Sequence, residues 1–270
     1  MYTLGFIGAG HIATALMDGL LAGGAVRAGS ICAYDTNSAV RTALAEKGVQ
    51  VVSDEAAVVK NAKFVILAVR PGNVRPVLEK IRDAMTYDNV LVSLAAGVPT
   101  AAIKKFLGKE CKLIRAIPNL ASAKGLGVTA LCYAMPITYQ ELQTVRDLLE
   151  SVGIVRVVEE EKLNDYIAVS GSATAYYYYL TKAIADGAVA QGLDRDTATQ
   201  VASQVMVGAA ALLLDSGFTP EELLSQVATP KGTTAEAIEV MEKSGFPQIV
   251  ADAMLACTKR AASMDAAAEE

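Results

Sequence analysis

A glycine-rich turn lies between an apolar segment and a helix-like segment at the start of the chain, in residues 3–16 (TLGFIGAGHIATAL). The pattern is G-x-G-x-x-A, with Gly8, Gly10 and Ala13 at the three small positions. Gly8 permits the tight strand-to-helix turn, Gly10 lets the backbone approach a pyrophosphate, and Ala13 keeps the helix close to the strand. The helix N-terminus offers N–H groups to the anion. Because a strand precedes the pattern and a helix follows it, a dinucleotide site is favoured over a turn without a ligand.

A carboxylate follows the second predicted strand, residues 30–34, and belongs to Asp35. It lies about 20 positions beyond the glycine turn, where such folds place the group that contacts the adenosine ribose. A carboxylate there accepts a hydrogen bond from the 2′-hydroxyl and repels a 2′-phosphate. Asp35 could equally be the N-cap of the helix that begins near Asn37, and the two roles are compatible. Arg41 on that helix could offset the repulsion, so the sequence leaves NADPH or NADH open.

Apolar runs that end in turn residues recur along the first 160 positions. The run at 63–69 is almost continuously apolar, as in a strand buried on both faces of a parallel sheet. Ligands collect at the carboxyl ends of such strands, so Val69, Arg70 and Pro71 are expected to border the nicotinamide half of the cofactor. The runs at 90–94 and 112–117 lead into Ala95, Ala96 and Gly97 and into Pro118 and Asn119, which are expected to complete the cleft. Further strands are predicted at 49–52, 127–133 and 154–158. Helices are predicted at 11–21, at 38–47, from residue 53 onward, and at 139–151.

Composition restricts the class of protein. The net charge is -5 and no dense Lys/Arg cluster occurs, which argues against a nucleic-acid partner. His11 is the only histidine and the four cysteines are far apart, so no metal site is expected and the cysteines are interpreted as reduced core residues. No apolar run reaches membrane-spanning length, and the first strand begins near Thr3. We therefore expect a cytoplasmic protein without a membrane partner.

The pattern changes after the charge run at 159–162. Helix-period segments rich in small residues follow at 163–190, 194–216, 220–226, 234–243 and 247–264. Few polar rows remain to face water, so we expect this half to be buried against a second subunit, the alternative being a compact monomeric bundle. The sequence predicts an α/β fold with a dinucleotide-binding domain at 1–160 and an all-α domain for substrate binding and dimerisation at 161–270.

Two polar clusters stand out in the helical half. The stretch 228–236 (ATPKGTTAE) breaks one helix and begins the next, with a capping-box pattern at Thr233 and Glu236. Backbone N–H groups, hydroxyls and a lysine together suit a small carboxylate, although an ordinary capped helix explains the same pattern. The second cluster, residues 170–175 (SGSATA), places hydroxyls in an apolar helix, and close packing of helices through small residues is the alternative there.

The chain resembles the pyrroline-5-carboxylate reductase family over its whole length. The resemblance is carried, in family order, by residues 5–16 (GFIGAGHIATAL), 67–74 (LAVRPGNV), 92–98 (VSLAAGV), 115–119 (RAIPN), 168–176 (AVSGSATAY), 185–193 (ADGAVAQGL) and 228–246 (ATPKGTTAEAIEVMEKSGF). It implies a Rossmann-type N-terminal domain, a helical C-terminal domain that interlocks with a partner's, and homodimers that often assemble into decamers. It implies reduction of the cyclic imine 1-pyrroline-5-carboxylate to L-proline by NADPH or NADH.

The resemblance also assigns residues to roles. Thr234 matches the hydroxyl placed near the ring nitrogen and is the expected catalytic residue. The expected substrate-binding residues are Thr229, Lys231, Gly232, Thr233, Thr234 and Ser172. The expected cofactor-binding residues are Gly8, Gly10, His11, Ile12, Asp35, Val69, Arg70, Pro71, Ala95, Ala96, Gly97 and Asn119. The chain departs from the usual motifs at His11, Arg70, Ile117, Leu120, Ala173, Thr174, Thr229 and Lys231.

In such a reduction, the main task of the protein is to orient the two bound reactants. Two alternatives remain at this stage. One is an imine or ketone reductase on the same scaffold that acts on another small carboxylate, which Ala173, Thr174 and Lys231 favour. The other is a non-catalytic NAD(P)-binding protein, against which the loop at 229–234 speaks.

Overall fold

A computed structural model describes the backbone of residues 2–269 and the side chains of residues 2–264. The chain divides into two compact units, Met1–Ser172 with Cys257–Glu270, and Ala173–Ala256.

An eight-stranded sheet forms the centre of the first unit. Its strands are β1 (Tyr2–Ile7), β2 (Ile31–Tyr34), β3 (Gln50–Val51), β4 (Ala62–Leu67), β5 (Val90–Ser93), β6 (Lys112–Ile117), β7 (Gly127–Ala134) and β8 (Gly153–Val157). The strand order is β3-β2-β1-β4-β5-β6-β7-β8, so the direction of progression reverses between β1 and β4. All neighbours are parallel except β6 and β7. The predicted strands are confirmed to within two residues, and the reversal at β1 and β4 is where ligands bind in such sheets.

Helices cover both faces of this sheet. They are α1 (His11–Ala22), α2 (Ser38–Glu46), α3 (Glu55–Asn61), α4 (Val74–Ile81), α5 (Thr100–Leu107), α6 (Tyr139–Glu150) and α7 (Leu163–Tyr166). Every residue of β5 and β6 is buried, because helices lie on either side. The single helix predicted over 163–190 is wrong: a π-helical turn, Ile167–Gly171, follows α7 and precedes the next helix. Such turns are frequent at functional sites.

Helix α1 packs against the 3-10 turn Leu120–Lys124, and Gly19 makes this close approach possible. A Cβ atom at Gly19 would lie 2.0 Å from the Ser122 carbonyl oxygen. We expect Gly19→Ala to lower the free energy of unfolding by about 3 kcal/mol, because α1 or the turn has to move. Gly29→Ala, whose Cβ meets open space, is the control and should change stability little. Urea unfolding of both variants measures the difference, and equal midpoints would contradict this packing argument.

The second unit is helical. It contains α8 (Ala173–Ala190), α9 (Arg195–Asp215), α10 (Pro220–Val227), α11 (Thr233–Lys243) and the beginning of α12 (Phe246–Glu269). Helix α9 buries only Ala198 and Ala202, and its Val205, Leu212 and Leu214 are 65%, 59% and 84% exposed. By length and composition alone α9 would also pass as a membrane span, with 11% of its most apolar stretch buried. One such helix is weak evidence for a membrane, and its exposed face requires an explanation.

Candidate active site

The glycine turn has the geometry that an anion requires. Gly8 adopts φ +87°, and a Cβ atom there would lie 2.7 Å from the Ala68 carbonyl oxygen, so only glycine fits. Gly10 is the N-cap of α1, and a Cβ atom at Gly10 would meet no atom within 4 Å. No side chain caps α1, which leaves the first N–H groups of the helix for a ligand.

Two cavities meet at Gly10. The first, about 560 Å³, is lined by five of the predicted cofactor-binding residues, Gly8, Gly10, Asp35, Val69 and Arg70. The second, also about 560 Å³, is lined by Gly10 and by His11, the first residue of α1. The structure therefore brings residues from the ends of β1, β2 and β4 to one cleft at the carboxyl edge of the sheet. Ile12 and Pro71 lie beside the lining residues and are half-buried.

Asp35 faces the glycine turn. Its Oδ2 accepts a hydrogen bond from the Ala9 N–H at 2.8 Å, and its Oδ1 accepts from the Asn37 N–H at 2.8 Å. The N-cap role considered for Asp35 is wrong, because Asn37 caps α2 and its side chain accepts from the Ala39 N–H. The carboxylate is instead fixed between the glycine turn and the start of α2.

The cleft fits a dinucleotide. It combines a glycine cradle, an uncapped helix N-terminus, a carboxylate at the end of β2 and a cation, Arg70, at the end of β4. Gly10 and the N-terminal N–H groups of α1 would hold the pyrophosphate, and Asp35 the adenosine ribose.

The loop after β5 is packed against the end of the chain. Gly97 is buried at φ +72°, and a Cβ atom there would lie 2.5 Å from the Cβ atom of Met264 in α12. Ala95 is buried and Ala96 half-buried. The nicotinamide contacts assigned to these three residues stay predictions. Sequence reasoning missed Met264, because nothing local indicates that the last turns of α12 return to this loop.

Asn119 joins β7 to the π-helical turn. It is 7% exposed, its Nδ2 donates to the Ser170 carbonyl oxygen at 3.3 Å, and its Oδ1 accepts from the Val128 N–H at 3.2 Å. The Ser172 hydroxyl lies 3.1 Å from the Cys257 sulfur. Asn119 thus positions the segment that ends at Ser172, whatever contact it makes with a cofactor.

A buried ion pair supports the loop after β5, and sequence reasoning missed it. Arg115 in β6 is 1% exposed, and its Nη1 lies 2.5 Å from Oε1 of Glu160. The same carboxylate accepts from the Thr100 N–H at 2.7 Å and the Thr100 hydroxyl at 2.6 Å, so it caps α5. Burial acts to raise the pKa of Glu160, but the hydrogen bonds from Thr100 and Arg115 outweigh it and hold the pKa below its ordinary value.

The loop between α10 and α11 has an unusual backbone. Lys231 adopts φ +62°, the only positive φ of a non-glycine residue in the described part of the chain. A Cβ atom at Gly232 would lie 2.8 Å from the Thr229 hydroxyl oxygen, so the turn requires glycine there. The capping box predicted for Thr233 and Glu236 is wrong: Gly232 is the N-cap, Thr233 is already helical, and no side chain caps α11. Backbone N–H groups at this helix end therefore stay available to a carboxylate.

Three of the four cysteines are buried and not activated. Cys32, Cys111 and Cys132 are buried, and burial raises the pKa of each thiol to about 11. These three thiols are protonated at neutral pH, so they are poor nucleophiles. Among the described residues, no group of three or more His, Cys, Asp or Glu side chains is placed to hold a metal ion.

Comparison with known proteins gives two different family models, one at each end of the chain, and full-length relatives from a single enzyme family. Residues 160–264 match the family described as "Pyrroline-5-carboxylate reductase dimerisation", and residues 3–97 match "NADP oxidoreductase coenzyme F420-dependent". The pyrroline-5-carboxylate reductase of Pisum sativum is 34% identical over 96% of this chain and 94% of its own. The Coxiella burnetii enzyme is 30% identical, with a TM-score of 0.86 over 97% of this chain and 98% of that one. The Plasmodium falciparum pyrroline carboxylate reductase, solved with NADP bound, shares the fold at 22% identity, with a TM-score of 0.89 over 98% of both chains.

Proposed function

Because the chain belongs to the pyrroline-5-carboxylate reductase family, we propose that it reduces 1-pyrroline-5-carboxylate to L-proline with NADPH or NADH. The observation that carries this proposal is the similarity over 96% of the chain, which spans both the cofactor cleft and the helical unit. The glycine turn and the fixed Asp35 carboxylate supply the dinucleotide site that such an oxidoreductase requires.

We assign cofactor binding to the residues expected from the sequence. Gly8, Gly10 and His11 with Ile12 surround the pyrophosphate, and Asp35 contacts the adenosine ribose. The residues after β4, β5 and β6 are assigned to the nicotinamide half of the cofactor. They are Val69, Arg70 and Pro71, Ala95 to Gly97, and Asn119. The assignment is supported by the shared carboxyl edge at which these strands end.

Substrate binding is assigned to the loop from Thr229 to Thr234 and to Ser172. The N–H groups at the start of α11 and the ammonium of Lys231 would hold the substrate carboxylate. The Thr234 hydroxyl would hydrogen-bond the ring nitrogen, directly or through a water. A reduced nicotinamide bound in the cleft would supply the hydride that the imine carbon of the protonated ring accepts. Because an iminium is a strong electrophile, the residues need only align the ring and keep its nitrogen protonated.

A direct assay tests the activity. Purified protein is incubated with 1-pyrroline-5-carboxylate and either cofactor, and nicotinamide absorbance and proline are both measured. Proline formed in step with cofactor oxidation supports the proposal. Oxidation with other cyclic imines or keto acids, but not with this substrate, would replace it by a related reductase.

We also propose that the helical unit forms a homodimer, which assembles further into a decamer, and that the protein is cytoplasmic. The match to a dimerisation domain supports the dimer, and it includes the whole of the exposed helix α9. A second copy would cover the apolar side chains that α9 leaves exposed. The exposed face is then explained by contact between subunits, and no contact with a membrane is required to explain it. We place the functional domain boundary near residue 160, where this match begins.

Light scattering tests the assembly. The protein is expected to be at least a dimer at micromolar concentration, because an apolar face of this size is poorly tolerated in water. The double variant Val205→Glu with Leu212→Glu should give monomers. Leu126→Glu, at a residue 77% exposed in the first unit, is the control and should leave the mass unchanged. A monomeric wild type would refute the dimer.

A further inference from the structure

The cavity at the end of β2 contains a feature that distinguishes between the two nicotinamide cofactors. We propose that Asp35 makes NADH the preferred cofactor, by accepting hydrogen bonds from the adenosine ribose hydroxyls and excluding a 2′-phosphate. The inference rests on the nicotinamide-cofactor part of the proposed function and does not depend on which imine is reduced.

The Asp35 carboxylate is fixed and still has acceptor capacity. Its two oxygens each accept one backbone hydrogen bond, from Ala9 at 2.8 Å and from Asn37 at 2.8 Å. A carboxylate has about four lone-pair positions, so about two remain for ligand hydroxyls. Both a 2′-hydroxyl and a 3′-hydroxyl can be satisfied from this one group.

A 2′-phosphate would bring a charge of about −1.5 to −2 next to this carboxylate at neutral pH. The carboxylate cannot turn away without breaking the bonds from Ala9 and Asn37. The first of these bonds also connects β2 to the glycine turn, so moving Asp35 would disturb the pyrophosphate site. The fixed position of the Asp35 carboxylate therefore makes its repulsion of a 2′-phosphate unavoidable.

Arg41, the cation that could offset this repulsion, is bonded to backbone carbonyls and does not line the cavity. Its Nη1 donates to the carbonyl oxygens of Asp35 at 2.7 Å and Thr36 at 3.0 Å. Its guanidinium carbon lies 5.8 Å from the centre of the Tyr34 ring. The cavity is lined by Asp35, Thr36, Asn37 and Val40, but not by Arg41. Arg41 therefore holds the turn after β2 through the carbonyl oxygens of Asp35 and Thr36.

The other charged groups that face the cavity are Glu55, Arg70 and Lys80. Lys80 is paired with Glu55, with 3.0 Å between Nζ and Oε1. Two acids and two bases thus line the cavity, which gives no excess of positive charge for a 2′-phosphate. Arg70 comes from the end of β4, on the opposite side of Gly8 from Asp35 in the strand order.

Binding measurements without substrate test the proposal. Calorimetry gives the Kd of NADH and NADPH, and of ADP-ribose and its 2′-phosphate, for the wild type and for Asp35→Asn. The wild type should bind NADH and ADP-ribose about 100-fold more tightly than their phosphorylated counterparts. Asp35→Asn keeps the shape and removes the charge, so it should reduce the preference to less than about 10-fold. Asp88→Asn, in the loop before β5, makes the same charge change and should leave the ratio unaltered.

Three results would overturn the proposal. They are equal or tighter binding of NADPH by the wild type, an unchanged ratio in Asp35→Asn, and a selective loss of NADPH binding in Arg41→Ala or Arg70→Ala. If Asp35→Asn fails to fold, Asp35→Ser with the same ligands replaces it. Turnover of 1-pyrroline-5-carboxylate is measured separately, so a protein that prefers NADH but makes no proline refutes the proposed reaction and leaves this inference intact.

Discussion

Thr234→Ala is expected to lower kcat for 1-pyrroline-5-carboxylate by about 10- to 100-fold, the usual worth of a hydrogen bond to a charged group. The Thr234 hydroxyl is assigned to the ring nitrogen, whose positive charge makes the adjacent imine carbon electrophilic, so loss of the hydroxyl acts on the chemical step. The second residue of α11 is well suited to this task, because the uncapped helix end beside it attracts the substrate carboxylate. Steady-state kinetics at saturating cofactor, with the Kd of NADH measured by calorimetry, separate turnover from cofactor binding.

Two further variants isolate the hydroxyl from the shape of the side chain. Thr234→Ser keeps the hydroxyl and should recover most of the lost turnover. Thr234→Val keeps the branched shape and should behave like alanine. If valine is as active as threonine, or if the Kd of NADH rises together with the loss of kcat, the assigned role is wrong.

The features that the sequence predicted well are encoded by neighbouring residues. The run at 63–69 predicts β4 because a strand buried on both faces must be apolar throughout. The turn Gly8-Ala9-Gly10 predicts its own geometry, since a positive φ and a close carbonyl leave no room for a side chain at Gly8. The carboxylate at Asp35 was located by its distance from that turn, and the structure places it there.

The features that were missed depend on residues far apart in the chain. Glu160 caps α5 from 60 positions away and pairs with Arg115, and no periodicity reveals such a partner. The π-helical turn in 167–171 has the same composition as the helices around it. The capping box at Thr233 failed because the tight turn at Gly232 moves the helix start by one residue. The antiparallel direction of β7 is likewise set by pairing, which the composition of the strand does not encode.

A second buried ion pair joins β6 to α6 and should be the most sensitive charge pair for stability. Lys112 and Glu141 have side chains 7% and 8% exposed, with 2.7 Å between Nζ and Oε1. The other oxygen of Glu141 accepts from the N–H and the hydroxyl of Thr138, at 3.0 and 2.8 Å. Burial acts to raise the pKa of Glu141, but these hydrogen bonds outweigh it and hold the pKa below its ordinary value. The pair therefore stabilises the fold above the ordinary carboxyl pKa, and this stabilisation is lost as the pH falls through the lowered pKa of the folded state.

Lys112→Met should lower the free energy of unfolding by about 3–5 kcal/mol at pH 7, because the buried Glu141 charge then keeps only Lys63, whose Nζ lies 4.0 Å from Oε1 and whose side chain is 47% exposed. Lys162→Met is the control, since Lys162 and its partner Asp165 are 66% and 57% exposed, and its loss should cost no more than about 1 kcal/mol. Urea unfolding at one fixed protein concentration measures both. In Lys112→Met, burial dominates at Glu141 and raises its pKa. The loss of unfolding free energy relative to the wild type should therefore shrink as the pH is lowered. A deficit no larger than that of Lys162→Met, or one that does not change with pH, would show that Glu141 is satisfied without Lys112.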